Sequence, residues 1–365
     1  MNLDNKRWKE FFIGGQDGIF KISSTSSGID KNKLLLSEEE EVPYITRSDL
    51  KNGISLFIQK NQLSKYKKDV KNTITIGLDT QTVFYQPADF FTGQNIQVLK
   101  QNSLNKYNAF FLISSIKIQM KKFNWGGNGA TLGRLSKTKI MLPVNKNEEP
   151  NYEYMEQYSK SIIDKKIENY KRYASEVLNE IEYKEIKKLE DVEFKDFEIG
   201  RLFNLQAGKS KGLNHLQKVE NFGINYLGAT NLNNGVLTYV ERNKQSQKMI
   251  QEGNCIAFIR NGNGSAGYSV YKHEYFIATS DISVGYSDFL NKYVGLFITT
   301  IADKARSKYS FGYKRSATRL KKEKIILPVN ENEEPDYEYM EQYMKNMTYR
   351  KMNQYLNYTK RKRSV

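Results

Sequence analysis

Residues Leu142–Lys160 read LPVNKNEEPNYEYMEQYSK, and Leu327–Lys345 read LPVNENEEPDYEYMEQYMK. No other feature of the chain restricts its folding more. A phrase that returns 185 positions later requires an element built twice, and from Arg134–Lys160 to Arg319–Lys345 the identity reaches 21 of 27 positions. Weaker matches extend upstream. WKEFFIG from Trp8 aligns with FKDFEIG from Phe194, VPYITRSDLKNGI from Val42 with INYLGATNLNNGV from Ile224, and NKYNAFFLISS from Asn105 with NKYVGLFITTI from Asn291. So long a period means two tandem domains and not a solenoid of small repeats. A chain of 365 residues gives each half enough length for its own core.

Within each half the pattern is β-rich and then helical, which predicts an α+β chain. Short β-branched and aromatic runs (TITIGL, NIQVL, NCIAFI, ISVGY) alternate with Gly/Asn turn signals such as KNG and NNG. Helical pieces are expected around Lys106–Met120 and Lys292–Ala305, and a strand, KIMLP or KIILP, closes each domain. Pro143, Pro150, Pro328 and Pro335 bracket the two connectors and stiffen them, because proline fixes φ and removes a donor. Asn151 and Asp336 are N-cap types, and the carboxylates of Glu153, Glu156, Glu338 and Glu341 suit the first turns of a helix.

After the caps the period changes. Ile163, Ile167, Tyr170, Ala174, Val177 and Ile181 step by fours and threes, and Met155, Tyr158 and Ile162 form a seam offset by one. The spacing predicts a helix from Tyr152 to about Ile186, roughly 50 Å long, and a second from Tyr337 to about Thr359. Two such stripes predict pairing with each other as an antiparallel coiled coil, with the two domains related by pseudo-twofold symmetry. The other arrangement is that each helix packs on its own domain. The expected division is 1–150 and 191–335 for the domains, with 151–190 and 336–365 for the helices and a basic tail.

The 57 Lys+Arg against 41 Asp+Glu leave a charge of +16. A polyanionic partner, nucleic acid above all, is the simplest reading, since each neutralised phosphate releases counterions; a basic surface kept for solubility is the other. No apolar run approaches the ~18–20 residues of a membrane span. The single cysteine, Cys255, excludes an intramolecular disulfide and fits a reducing cytoplasm. With His215 and His273 as the only histidines, a structural zinc site has too few ligands.

Catalytic patterns do not survive inspection. GNGSAG at 262–267 satisfies G-x-G-x-x-G, but strand-like YSVYKHEYF follows it where a dinucleotide site needs a helix, so a glycine-rich hairpin is expected. Glu182/Lys184 and Glu185/Lys187 resemble nuclease carboxylate–x–Lys pairs, in a stretch so rich in Glu and Lys that chance explains them. The expectation is a non-catalytic binder.

Two basic, aromatic-laced segments hold equivalent places before the closing strands, Lys121–Lys139 and Ala305–Lys324. Arg, Lys, Asn and aromatic side chains on loops can contact phosphates and reach base edges. The candidates are Lys121, Lys122, Trp125, Asn128, Arg134 and Lys137 in the first half, and Lys308, Tyr313, Lys314, Arg315, Arg319 and Lys322 in the second. Arg134 aligns with Arg319, Lys137 with Lys322 and Lys139 with Lys324, as suits phosphate clamps; Lys314 and Arg315 lie opposite Gly129 and Ala130, as suits distinct readout. Arg47, Lys209 and Lys211 on other loops complete the set.

Two divergent β-rich domains, each opening on an aromatic-K-[ED]-F phrase and closing on a strand–Pro–helix segment, resemble the specificity (S) subunits of type I restriction–modification systems. The repeated phrase is also similar to that of type IIB, BcgI-like, S subunits. The resemblance implies two target recognition domains, each reading half of a bipartite sequence in double-stranded DNA. It also implies two helices that space the domains and dock methyltransferase (M) subunits, with restriction (R) subunits added in a type I system. Tyr154, Met155 and Tyr158, with Tyr339, Met340 and Tyr343, would form the docking face. S-adenosylmethionine and the adenine to be methylated would belong to the M subunits, with no cofactor in this chain. Two rival functions are a nuclease acting alone and a scaffold or decoy that binds methyltransferase subunits without DNA.

Overall fold

The structure, a computed structural model, describes residues 3, 6–36, 41–124, 127–262, 264–310 and 312–361. It divides into two compact units, 1–170 and 171–365.

The first unit comprises β1 (Trp8–Phe12), β2 (Lys21–Ser24), β3 (Val42–Ile45), β4 (Ile54–Ile58), β5 (Thr73–Gly77), β6 (Val83–Gln86), β7 (Phe91–Thr92), β8 (Ile96–Lys100), α1 (Lys106–Met120), α2 (Leu132–Ser136) and β9 (Lys139–Pro143). α3 (Tyr152–Glu180) begins here and ends in the second unit. The sheets run β2-β8-β5-β6, β4-β3-β7 and β1-β9. β5 and β8 are buried along almost their whole length, Thr73, Thr75 and Gln97 included, so both faces are covered, and α1 packs its Leu112 and Ile116 into the same core as Ile74, Ile76 and Leu99.

The second unit repeats this plan. It comprises β10 (Phe194–Glu198), α4 (Ile199–Leu202), β11 (Asn204–Ala207), β12 (Lys218–Val219), β13 (Ile224–Leu227), β14 (Val236–Val240), α5 (Lys244–Gln247), β15 (Cys255–Ile259), β16 (Ser269–Lys272), β17 (Phe276–Ala278), β18 (Ile282–Tyr286), α6 (Lys292–Ala302), α7 (Ala317–Lys322), β19 (Lys324–Pro328) and α8 (Tyr337–Arg361). Its sheets are β11-β18-β15-β16, β12-β14-β13-β17 and β10-β19. The register of the closing pair is the same in both units: Trp8 faces Pro143 and Phe12 faces Lys139, as Phe194 faces Pro328 and Glu198 faces Lys324.

The KNG and NNG signals form equivalent turns, β3 to β4 and β13 to β14. Asn52 and Asn234 hold φ of 58° and 54°, and the glycine that follows each holds 79°. A Cβ at Gly53 would meet Ile45 and the Thr46 carbonyl at 3.2 Å, so glycine is required twice over. GNGSAG is a hairpin, as expected. Gly267 N–H donates to the Ile259 carbonyl at 2.9 Å, and β16 follows antiparallel to β15.

The repeated phrase is a rigid joint. After each closing strand the side-chain oxygen of Asn145 accepts from the backbone N–H of Asn147 (2.9 Å) and Glu149 (3.0 Å), and Asn330 does the same for Asn332 (3.0 Å) and Glu334 (3.1 Å). Glu148 and Glu333 both turn the chain at φ 64°. Asn151 then caps α3 through the N–H of Tyr154, and Asp336 caps α8 through that of Tyr339, each at 2.9 Å.

α3 is shorter than its sequence pattern predicts, ending at Glu180 and not near Ile186. The next residues leave the helix and run along α8. The Asn346 side chain donates to the Lys184 carbonyl at 2.6 Å and accepts from its N–H at 3.1 Å, Gln342 donates to the Glu182 carbonyl, and Tyr339 to that of Lys187. Good helix formers are overruled here by tertiary hydrogen bonds.

Candidate nucleic-acid interface

The basic segments become loops between the long domain helix and the closing strand. In the first unit the loop between α1 and α2 is closed by pairing of Asn124 with Asn128, and the Asn128 side chain donates to the Lys122 carbonyl at 2.6 Å. The Arg134 guanidinium reaches back from α2 to two loop carbonyls, Gly129 at 3.0 Å and Gly127 at 2.9 Å. Lys121, Lys122 and Lys137 are exposed around it. Trp125 lies outside the described residues.

In the second unit Ser310 pairs with Tyr313 to close the equivalent loop. Arg319 repeats the contact of Arg134, donating to the Lys314 carbonyl at 2.8 Å, and its guanidinium stacks 3.9 Å above the Tyr313 ring. The shared arginine therefore braces the loop in both units, while its outer edge stays exposed. Lys308, Tyr313, Arg319, Lys322 and Lys324 line one open groove of about 530 Å³, together with Tyr309, a residue the sequence reading did not single out. Tyr309 stacks on Tyr313, and its hydroxyl donates to Glu323 at 2.5 Å. Burial and the adjoining Glu323 carboxylate both push the Tyr309 phenol well above its usual range, so it stays a neutral donor. Lys314 is exposed beside the groove. A cationic, aromatic-walled groove can hold a phosphate backbone and stack on sugars or bases.

Other candidates stand apart. Arg47 follows β3 and is paired to the Asp79 carboxylate. Lys209 donates to the Ile250 carbonyl at 3.1 Å, and Lys211 is exposed on the same loop after β11.

Three expectations need correction. Arg315 is 0% exposed; it donates through Nε and Nη2 to Glu323 and through Nη1 to Ser269 Oγ and the Gly267 carbonyl. It holds the loop from beneath and has no surface from which to read a base. Met155 and Met340, expected on a docking face, are the plugs by which α3 and α8 enter the two domain cores, both at 0% exposure. Each such burial contributes about 1.5–3 kcal/mol. Tyr154 is buried beneath Lys6, while Tyr158 packs edge-on against Phe111 and Tyr343 against Phe297, all three rings kept partly or wholly from solvent. Tyr339 is half-buried over the 182–187 segment.

Among the described residues no group of three His, Cys, Asp or Glu side chains could hold a metal ion, and no helix is long and apolar enough to cross a membrane. The Glu182–Lys184 pair is an exposed ion pair at 3.4 Å on the segment that Asn346 clamps.

Fold and surface define a duplicated recognition module, one frame carrying two different sets of loops. The chain belongs to the family described as type I restriction modification DNA specificity domain, whose model matches it twice, over residues 5–171 and 191–357. It is similar to the specificity subunit S.BcgI of a type II restriction enzyme from Heyndrickxia coagulans, 30% identical over 328 residues, which span 87% of this chain and 89% of that one. Its fold is similar to that in the crystal structure of a type I restriction–modification S subunit from M. genitalium, with a TM-score of 0.52 at 16% identity, covering 98% of this chain and 93% of the other.

Proposed function

We propose that this chain is the sequence reader of a restriction–modification complex in the cytoplasm. Each domain takes one half of a bipartite target in double-stranded DNA, and the chain holds two methyltransferase subunits over it, with restriction subunits where the system has them. The observation that carries this reading is the unequal duplication. The closing strands, joints and helix caps coincide in register and hydrogen bonding, while the loops beside them differ, Gly129 standing where the other unit has the exposed Lys314. A surface that grips two copies of one partner must be the same twice; a surface that reads two different half-sites must differ. Methyl transfer and S-adenosylmethionine would belong to the partner subunits. This chain would supply position and specificity without catalysis.

The test is exchange of residues 191–335 for those of a relative with another target, in the complex with methyltransferase subunits. Sequencing of methylated DNA should show one half of the target changed and the other retained. Change in both halves, or in neither, overturns the assignment of one half per domain. Incubating the purified chain alone with plasmid and Mg²⁺ should leave the DNA intact; cleavage would favour the nuclease reading.

A further inference from the structure

Each unit carries an open apolar groove, and six pairs of equivalent residues line the two; the second groove borders the basic segment and shares Lys308 and Lys324 with the cationic groove. The first is walled by Leu3, Trp8, Phe111, Ser114, Met141 and Tyr158. The second is walled by Leu189, Phe194, Phe297, Thr300, Ile326 and Tyr343. These six pairs fall at matching places in the duplication, and each groove encloses about 560 Å³.

The floors break a pattern. β9 and β19 alternate, with Ile140 and Leu142, or Ile325 and Leu327, turned into the core. The outward positions of such a strand should be polar. Lys139 and Lys324 obey; Met141 and Ile326, at 45% and 53% exposure, do not. The same violation at the same place in two diverged domains marks a surface that something covers. Charge says what kind. Lys304, Lys308 and Lys324 line the second groove and no carboxylate does. The first groove has no charged residue in its lining, and Ile118 stands where the second has Lys304, so the charge bias belongs to the second groove.

We infer that each groove receives an amphipathic helix of a methyltransferase subunit, apolar anchors on the floor and, in the second unit, carboxylates toward its lysines. This rests on the function proposed above. Helix-in-groove docking places residues three and four apart in an apolar trough and leaves the flanks for charge. The same shape twice gives one chain two equal partners, and it locates docking beside Tyr158 and Tyr343.

The full chain, co-expressed with its methyltransferase subunit, tests this by native mass spectrometry. The wild type should carry two partner subunits, Met141→Glu or Ile326→Glu alone should carry one, and the double variant none, with affinity about tenfold or more lower. Met141→Leu with Ile326→Leu should keep two. Both positions are half-exposed, and thermal unfolding of the double variant should match the wild type. Two partners on the folded double variant would overturn the inference and leave the proposed function standing. So would a self-association of the wild type that the double variant loses while methyltransferase binding persists. A wild-type chain that binds no methyltransferase would overturn both readings.

Discussion

Arg315 Nε and Nη2 donate to the two carboxylate oxygens of Glu323 at 2.9 and 2.5 Å, in an ion pair that is 0% and 3% exposed. At the equivalent places the first unit has Ala130 and Thr138, so the frame does not need the pair. Removing one partner leaves a buried charge uncompensated, and Arg315→Ala should destabilise the second unit by about 3–5 kcal/mol. Arg315→Ala with Glu323→Thr, the residues of the first unit, should recover much of that loss. Chemical denaturation of the two variants checks both. A single variant as stable as the wild type would remove the pair from the account of the loop.

Arg134 and Arg319 make one contact in two different loops, to the carbonyl five residues upstream. Their replacement should act locally. Arg134→Ala should cost about 1 kcal/mol, as loss of exposed hydrogen bonds does, yet speed amide hydrogen exchange across residues 121–131 and impair methylation through the first half-site. Arg319→Ala should do the same across 305–316 for the other half. Lysine should not rescue Arg134, since one ammonium on a flexible stem does not hold two carbonyls in a plane. Global loss of stability in either variant would show that the arginine supports the core.

The joint between domain and helix was legible in sequence because local rules govern it: proline brackets, an Asn or Asp cap, and a short β-prone strand just before them. The hairpin at GNGSAG was legible for the same reason, as strand pattern on both sides outweighs a short glycine motif. Arg315 was not. It stands among exposed basic residues in YKRSATRLKK, and nothing local reports that Ser269, Gly267 and Glu323 converge on it from other elements. The end of α3 was hidden likewise. NEIEYKEIKK carries no stop signal, and Asn346, which captures the Lys184 backbone, lies 162 residues away. The groove-forming positions Met141 and Ile326 passed unread because the closing strands look ordinary until one knows which face the core takes.

Asn105 and Asn291 cap the domain helices and also donate to a carboxylate on the following long helix, Glu156 and Glu341, each at 2.7 Å. The hydrogen bonds from Lys160 and Lys345 first, and those from the asparagines after, hold both carboxyls below their usual range. A depressed pKa gives stability that is present above the unfolded value, about 4.3, and lost as pH falls through the folded one. Glu156→Gln with Glu341→Gln should therefore lower Tm by about 2–4 °C at pH 7. The gap should close below about pH 4, where both carboxyls of the wild type take up protons. A gap independent of pH would mean that the side chains act through shape and not charge.

Cys255 lies at the start of β15, fully buried, and burial pushes its thiol up to about 12. The thiolate is the reactive form, so the folded chain should resist maleimide and disulfide reagents at pH 8. Because the chain has one cysteine, labelling is a direct count of molecules with the second unit open. The labelled fraction should rise along the same denaturant curve as loss of tyrosine packing, and Arg315→Ala should move both midpoints together. The sign with pH also follows. The unfolded thiol ionises near 8.5 while the folded one does not, so stability is retained below that value and falls as pH rises from it toward 12. Rapid stoichiometric labelling of the native chain at pH 8 would show that β15 opens independently of the rest of the unit.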